Sequence, residues 1–119
     1  QAIESKDITV FGDGSQTRAF CYVDDLVEGI YRLLHSDYSL PVNIGNPDEI
    51  TILQAAQEVI EIVEGTTSKI IQQELPKDDP KVRRPDITKA QNILDWFPTV
   101  DRHDGFRRTY EYFKTKFGG

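Results

Sequence analysis

The feature that most constrains the fold is a run of apolar residues at helical spacing in the middle of the chain. Spacings of three and four place these residues on one side of an α-helix, which then has to pack that side against another element. Thr51 followed by Gln54 fits a capping box, and Gly65 fits the end of the helix. The residues of the face are Ile52, Ala55, Ala56, Val59, Ile60 and Val63.

Short strand patterns alternate with helix patterns along the rest of the chain. Strands are predicted over residues 8–11, 17–23, 41–45 and 70–71. Further helices are predicted over residues 23–34, 86–94 and 106–117, and residues 1–5 are typical of the end of a helix that begins earlier. This order predicts an α/β fold rather than an all-α one. Because the strands are few, some are expected to pair with a part of the protein outside this chain.

The helix predicted after the second strand also has one apolar stripe, of the kind that packs on a core. Asp24 or Asp25 is expected to cap its N terminus, and Asp86 is expected to cap the helix over residues 86–94. The stripe consists of Val23, Leu26, Val27, Ile30, Tyr31 and Leu34.

Composition limits the classes of protein to which the chain can belong. Its 119 residues and net charge of −6 fit one small globular domain that is a poor general binder of nucleic acid or anionic membranes. There is no run of about 18 apolar residues and no signal-peptide pattern, which predicts no membrane partner. Cys21 is the only cysteine, so no internal disulfide can form and a reducing, cytoplasmic location is favoured.

Arg18 is an unusual residue for the second predicted strand. The stretch GDGSQTRAF reads as a hairpin turn that leads into this strand. Alternation along the strand would place Arg18 on one face with Phe20 and Tyr22. A guanidinium stays charged and is costly to bury without an anion. The residues alone leave three alternatives open: a protein salt bridge, an exposed edge position or a bound anion.

Arg83 and Arg84 form the tightest basic cluster together with Lys81. They lie in a proline-bounded loop just before a predicted helix N terminus, where backbone N–H groups and the helix dipole favour anions. Arginine also binds phosphate with two hydrogen bonds at once. The alternative is a solvated basic loop that balances Asp78 and Asp79.

Other possible sites are interpreted as structural. Tyr110 and Lys114 fit the Tyr-x-x-x-Lys spacing of a catalytic pair, but Tyr110 belongs to the apolar stripe of the last helix. Glu58, with the other glutamates of its helix, is expected to form a solvated face, and His35 and His103 are expected at the surface. No dinucleotide-binding glycine loop, Walker A lysine or metal-ligand spacing is present, so no catalytic, cofactor-binding or metal-ligating residue is predicted.

Three stretches of the chain resemble a known superfamily. In order they are ITVFGDGSQTRAFCYVDDLVEGI, PVNIGNPDEITILQAAQEV and DDPKVRRPDITKAQNIL. They are similar to the C-terminal third of extended short-chain dehydrogenases that act on nucleotide sugars, and the third stretch favours the UDP-glucuronate decarboxylases among them. The resemblance implies that residues 1–119 form a single substrate-binding lobe of a Rossmann-type fold, without the N-terminal dinucleotide-binding part.

The resemblance implies an activity for a longer enzyme. Such an enzyme oxidises C4 of UDP-glucuronate with NAD, releases CO2 and reduces the ketone to give UDP-xylose. NAD and the catalytic residues belong to the N-terminal part, so the chain alone is expected to be inactive and the full-length enzyme to be a homodimer. The alternatives are a 4-epimerase or 4,6-dehydratase lobe, or a non-catalytic module that oligomerises or swaps through unpaired strand edges.

The resemblance also implies which residues bind the UDP-sugar. Arg18 matches an arginine beside the diphosphate and the sugar, and Arg83 matches one that contacts the phosphates. Gln16 is expected near the substrate. Arg84 is a weaker candidate, because relatives can carry lysine at this position.

The chain departs from the pattern of this superfamily at several positions. Ala19 stands where many relatives have aspartate, and Cys21 replaces a common glutamine. Asp95 stands in place of glycine, and residues 102–106 replace an acidic-Gly-Leu helix start. These departures bear on the packing of the C-terminal helices more than on the substrate loop, although Cys21 bears on the choice of the decarboxylase.

Overall fold

The computed structural model describes residues 1–74 and 84–117. Helices and strands alternate within these residues, which confirms the predicted α/β class. The strands are β1 (Ile8–Phe11), β2 (Thr17–Ala19), β3 (Glu49–Thr51) and β4 (Ile70–Gln73). The helices are α1 (Val23–Leu34), α2 (Ile52–Ile62), α3 (Thr88–Leu94) and α4 (Arg102–Phe117).

The described strands form two separate two-stranded sheets. β1 pairs in parallel with β4, with Val10 opposite Gln72, and β2 pairs antiparallel with β3, with Arg18 opposite Ile50. Helix α2 contacts β1, β3 and α4. It is therefore the element that links the two sheets.

Helix α2 confirms the amphipathic helix predicted from the sequence. The N–H of Gln54 donates to Thr51 Oγ1 at 3.1 Å, and the N–H of Thr51 donates to Gln54 Oε1 at 3.1 Å, which completes the predicted capping box. Ala55 and Ala56 are buried on the predicted face, and Val63 is the buried C-cap. The helix could be predicted from the sequence because the spacing of its apolar residues is a local pattern.

The strand predicted over residues 17–23 is wrong in length. β2 ends at Ala19, because β3 has only three residues and offers no ladder partner beyond this point. The ring of Phe20 instead packs edge-on against the ring of Phe106 in α4, with 5.1 Å between the ring centroids. Tyr22 is the N-cap of α1. The prediction that Arg18 shares a strand face with Phe20 and Tyr22 is therefore also wrong.

The strand predicted over residues 41–45 is wrong as well. No strand is assigned to this segment, because none of the described strands lies beside it to exchange hydrogen bonds. Val42 and Ile44 pack instead against the apolar core around Trp96. The strand that does form is β3, which lies a few residues later and was not predicted.

The apolar core holds α3 against α1. Trp96 and Val10 are the largest fully buried side chains in the described chain. The indole Nε1 of Trp96 donates to the backbone oxygen of Asp25 in α1 at 3.0 Å, which satisfies its polar group inside the core. The buried cluster consists of Ile87, Ala90, Leu94 and Trp96.

The apolar stripe of α1 is exposed rather than buried. Val23, Leu26, Val27, Ile30, Tyr31 and Leu34 all lie at the surface, while the buried residues of the helix are Asp25 and Gly29. Helix α1 therefore contacts the described part of the chain through the side opposite its stripe. None of the helices within residues 1–74 and 84–117 has both the length and the apolarity that are needed to cross a membrane.

The prediction that Asp24 or Asp25 caps α1 is wrong. Tyr22 is the N-cap, and its side chain makes no capping hydrogen bond. The buried carboxylate of Asp25 accepts from the N–H groups of Thr99 and Val100, at 3.0 and 2.9 Å, and from the Thr99 hydroxyl at 2.8 Å. Asp25 thus fastens α1 to the segment before α4.

Residues 1–6 form a turn of the kind found at the C-terminal ends of helices. The N–H of Lys6 donates to the oxygen of Gln1 at 2.9 Å, and the N–H of Ser5 donates to the oxygen of Ala2 at 3.1 Å. With Ser5 at a φ of 54°, this is the hydrogen bonding of a Schellman motif. No helix is assigned to residues 1–5, but their geometry agrees with the predicted helix end.

Candidate functional site

The loop between β1 and β2 lies directly on the first turn of α2. The N–H of Leu53 donates to the oxygen of Gly14 at 3.1 Å. A Cβ on Gly14 would lie 2.8 Å from Leu53 Cβ and 2.9 Å from Val10 Cγ1, and its φ of +77° also favours glycine. The Asp13 carboxylate accepts from the N–H of Ser15 at 2.9 Å. These contacts fix the loop that leads to Gln16 and Arg18.

Gln16 is buried and closes this loop. Its Nε2 donates to the backbone oxygen of Phe11 at 3.0 Å, and its own backbone oxygen accepts from the N–H of Ile52 at 2.9 Å. The side chain therefore joins the last residue of β1 to the start of β2. This contact gives Gln16 a structural role beside the substrate contact that the resemblance implies.

Arg18 lies in the middle of β2 and is partly buried. Its Nη1 donates to the backbone oxygen of Thr17 at 2.6 Å, so the guanidinium lies along its own strand. Its neighbour Ala19 pairs with Glu49 of β3. The strand pairing therefore places Arg18 beside β3, opposite Ile50.

Arg84 lies in a shallow open hollow on the surface, which we call the Arg84 hollow. The residues that line it are Asn46, Pro47, Asp48, Glu49, Arg84, Ile87, Gln91, Phe97 and Pro98. A Cβ on Gly45 would lie 3.0 Å from Pro85 Cγ, so the glycine allows the loop before α3 to approach closely. Asn43 Nδ2 donates to the oxygen of Asp86 at 3.3 Å on the same side. Together these contacts set the position of the Arg84 backbone.

Asp86 begins α3 through an interaction with Thr88. Its carboxylate accepts from the Thr88 hydroxyl at 2.6 Å and from the Thr88 N–H at 3.0 Å, while the assigned N-cap is Ile87. The hydrogen bond from the hydroxyl, followed by that from the N–H, lowers the pKa of Asp86. The prediction that Asp86 is the cap of α3 is therefore wrong by one residue, although its carboxylate accepts from the N–H of the first helical residue.

Of the three predicted site residues within the described part of the chain, Arg84 alone lines the Arg84 hollow. Arg83 lies outside the described residues. Gln16 ends the loop before β2, and Arg18 lies within β2. The connection between the two places is the β2–β3 pairing, because Glu49 belongs to β3 and also lines the Arg84 hollow.

An ion-pair cluster near this hollow was missed from the sequence. Arg102 Nε donates to Glu58 Oε2 at 2.9 Å, and its Nη1 donates to Asp48 Oδ2 at 3.0 Å. His103 Nδ1 lies 3.1 Å from Glu58 Oε1. The Glu58 side chain is only 13% exposed, so the prediction of a solvated face is wrong for this residue. Its partners come from a distant part of the chain, and only the departure at residues 102–106 marks them in the sequence.

Two further basic residues of α4 are also paired. Arg107 and Arg108 both bind Asp104, at 2.7 and 2.9 Å. The hydrogen bond from Arg107 is the largest of the effects that lower the pKa of Asp104. The three arginines of α4 therefore pair with nearby carboxylates.

Cys21 is a partly buried residue beside the apolar core. It packs beside the Trp96 core, and its thiol lies 3.6 Å from the backbone oxygen of Tyr22. Burial, followed by the nearby Asp25 carboxylate, raises the pKa of the Cys21 thiol. A protonated thiol is a poor nucleophile, so the geometry supports a packing role.

Comparison with known proteins places the chain in a family. A family model described as GDP-mannose 4,6 dehydratase matches residues 1–109. The chain belongs to this family.

Relatives of this dehydratase-family chain include decarboxylases. It is 49% identical to UDP-glucuronic acid decarboxylase 1 of Danio rerio over 115 residues. This alignment covers 95% of the chain and 27% of the decarboxylase. It is 41% identical to UDP-glucuronic acid decarboxylase 6 of Arabidopsis thaliana over 118 residues. This alignment covers 99% of the chain and 34% of the decarboxylase. The chain thus spans about a third or less of the length of these relatives.

Solved structures confirm the part of the extended short-chain dehydrogenase fold that the sequence predicted. UDP-glucuronic acid 4-epimerase of Bacillus cereus, in complex with UDP-glucuronic acid and NAD, superposes with a TM-score of 0.86 and 32% identity. UDP-glucose 4-epimerase of Thermotoga maritima, with UDP-glucose, superposes with a TM-score of 0.90 and 29% identity. Each match covers 97% of this chain and 37% of the other.

Tyr110 and Lys114 of this dehydratase-family chain lie together on α4. Lys114 Nζ lies 5.7 Å from the centroid of the Tyr110 ring, a cation–π distance. Tyr110 also lines an apolar groove together with Val59 and Val63 from α2. This geometry supports the packing role predicted for the pair.

Proposed function

We propose that this chain is the nucleotide-sugar-binding part of an NAD-dependent UDP-glucuronate decarboxylase that makes UDP-xylose. The observation that carries the proposal is the 49% identity to the zebrafish decarboxylase over 95% of the chain, against 32% identity to the Bacillus cereus epimerase. The small share of each relative that the chain spans supports the view that it acts as a part of a longer enzyme.

In this proposal, arginines of the chain bind the diphosphate of the UDP-sugar. Arg18 and Arg84 are permanently charged. Arg18 lies on β2, and Arg84 lines a hollow together with Glu49 of the paired strand β3. Arg83, which lies outside the described residues, is proposed as a second phosphate contact. Gln16 is proposed to lie near the substrate, and its side chain also joins the end of β1 to the start of β2, the strand that carries Arg18.

The remaining part of the enzyme is proposed to bind NAD. When bound, NAD would supply reversible hydride transfer at C4 of the sugar, and this chain would bind and orient the substrate for it. A homodimer is proposed for the full-length enzyme, and its cytoplasmic location stays a prediction from the single cysteine.

Two assays test this function. The isolated chain, mixed with UDP-glucuronate and NAD, should form neither UDP-xylose nor NADH, because no catalytic residue is assigned to it. The full-length enzyme should convert UDP-glucuronate to UDP-xylose and leave UDP-glucose and dTDP-glucose unchanged. Turnover by the isolated chain contradicts the assignment of the chemistry to the other part.

The second candidate function is a nucleotide-sugar 4-epimerase or 4,6-dehydratase. The observation that favours it is the superposition on two 4-epimerases with TM-scores of 0.86 and 0.90. The same assay distinguishes the candidates. An epimerase releases an isomer of its substrate without CO2, and a dehydratase releases water.

A third candidate is a non-catalytic binding or oligomerisation module. The exposed apolar stripe of α1 is the observation that favours it. Full-length protein that binds a UDP-sugar but turns over none of the three substrates would support this candidate.

A further inference from the structure

Asp48 stands between two hollows on the surface of the chain. It lines the Arg84 hollow, and it also lines a second, polar hollow that contains Arg102 and Glu58. Its carboxylate accepts a hydrogen bond from Arg102 Nη1 at 3.0 Å. The negative charge of Asp48 is thus directed toward Arg102.

Arg102 is held in place by its less exposed partner. The Arg102 side chain is 24% exposed and binds Glu58, which is 13% exposed, whereas the Asp48 side chain is 63% exposed. Because the guanidinium is planar and its donors have a fixed geometry, the bond to Glu58 also fixes the direction of the donor that meets Asp48. The Asp48 carboxylate is the more exposed partner in this bridge.

The Arg102–Asp48 ion pair affects which charged groups are close to Arg84 in its hollow. Among the described residues that line the hollow, Arg84 is the only cation, and Asp48 and Glu49 are the two carboxylates. Glu49 accepts a hydrogen bond from the Thr17 hydroxyl at 3.2 Å. A carboxylate that turned toward Arg84 would compete with a bound anion for the same guanidinium and would repel that anion.

We propose that Arg102 is a positioning residue that holds the Asp48 carboxylate away from Arg84 and so leaves Arg84 available to an anionic ligand. This inference rests on the proposed function, in which Arg84 binds the phosphates of a nucleotide sugar. Arg102 acts through Asp48 and does not itself touch the ligand.

A double-mutant cycle in the full-length protein tests the inference, with UDP as the calorimetric probe. We expect Arg102→Ala to weaken UDP binding by about threefold to tenfold, because Asp48 is then free to pair with Arg84. In the Asp48→Asn background the same change should alter the affinity by less than about twofold, because no carboxylate is left to compete.

Arg107→Ala is the matched control for loss of one positive charge. Its guanidinium binds Asp104 on its own helix and lines neither hollow, so UDP affinity should change by less than about twofold. Arg102→Gln should behave like Arg102→Ala while it keeps a donor for Glu58. It serves as the working variant if Arg102→Ala unfolds in a thermal melt.

Three results would overturn the inference. If Arg102→Ala and Arg102→Gln leave UDP affinity unchanged while Arg84→Ala weakens it, Arg102 does not position Asp48 and the proposed role of Arg84 stands. If their effect is equally large with and without Asp48→Asn, Arg102 acts by another route. If Arg84→Ala itself has no effect, the assignment of Arg84 fails and the inference fails with it.

Discussion

Arg18 carries a permanent charge on a short, partly buried strand, and this position demands an anionic or carbonyl partner. Its Nη1 donates to the oxygen of Thr17, which is one such partner. The proposed function assigns the diphosphate of the UDP-sugar to the same guanidinium. The two roles are compatible because a guanidinium carries five N–H donors.

Substitution of Arg18 tests this assignment. Arg18→Ala in the full-length enzyme should weaken UDP-sugar binding by more than about 0.5 kcal/mol, because a hydrogen bond to a charged group is lost. Calorimetric titration measures the effect, and Arg107→Ala serves as the control that removes one charge elsewhere. A smaller loss of binding free energy for Arg18→Ala would show that Arg18 does not belong to the substrate site.

Asp25 is the buried carboxylate that fastens α1 to the segment before α4. Asp25→Ala should lower the free energy of unfolding by roughly 3 kcal/mol, because it leaves the N–H groups of Thr99 and Val100 without their acceptor. Asp24→Ala, at the exposed neighbouring position, should change it by less than about 0.5 kcal/mol. Equal effects of the two changes in urea unfolding would show that the buried contacts contribute nothing.

At the scale of elements, the start of α3 depends on the ionised form of Asp86. Its pKa is lowered from the usual 3.8 in the folded state, so its stabilising effect is complete above that value. The effect is lost as the pH falls through the lowered pKa, because the proton then binds the carboxylate in both states. The difference between wild type and Asp86→Asn in unfolding free energy should therefore shrink in acid.

Denaturation curves at a series of pH values, together with an NMR titration of Asp86, measure this behaviour. Thr88→Val removes the hydroxyl that lowers the pKa most, so it should move the pKa of Asp86 back toward its usual value. A difference between wild type and Asp86→Asn that stays constant down to low pH would contradict the assigned role.

Elements whose pattern is local were predictable, and those that need a distant partner were not. The capping box and apolar spacing of α2 lie within one segment, and the structure confirms both. Residues 41–45 have the pattern of a strand, but no described strand lies beside them. The network of Arg102, Glu58 and Asp48 joins residues more than forty positions apart, so no local pattern could reveal it.

At the scale of the whole molecule, the exposed stripe of α1 is the largest departure from expectation. Its apolar residues are between 37% and 76% exposed, from Leu26 to Leu34. A continuous apolar face of this kind is normally covered, either by another part of the same protein or by a second molecule. The proposed function provides the first kind of cover through the remaining part of the enzyme.

The isolated chain should therefore self-associate through α1. The double variant Leu26→Glu and Ile30→Glu should remain monomeric, because two charges then interrupt the apolar face. Asp24→Asn with Glu28→Gln changes the same helix outside the stripe and should leave the association unchanged. Size-exclusion chromatography with light scattering measures the mass, and a clean monomer of the unmodified chain at high concentration contradicts the prediction.

The sequence by itself determined the α/β class, the four helices and the family, because helical periodicity, capping residues and extended motifs are properties of neighbouring residues. Only the tertiary structure decided which side of α1 is buried, where the second sheet forms and which carboxylates pair with Arg102. Burial, strand pairing and ion pairs are contacts between distant segments, and they form only where the fold brings the two partners within reach.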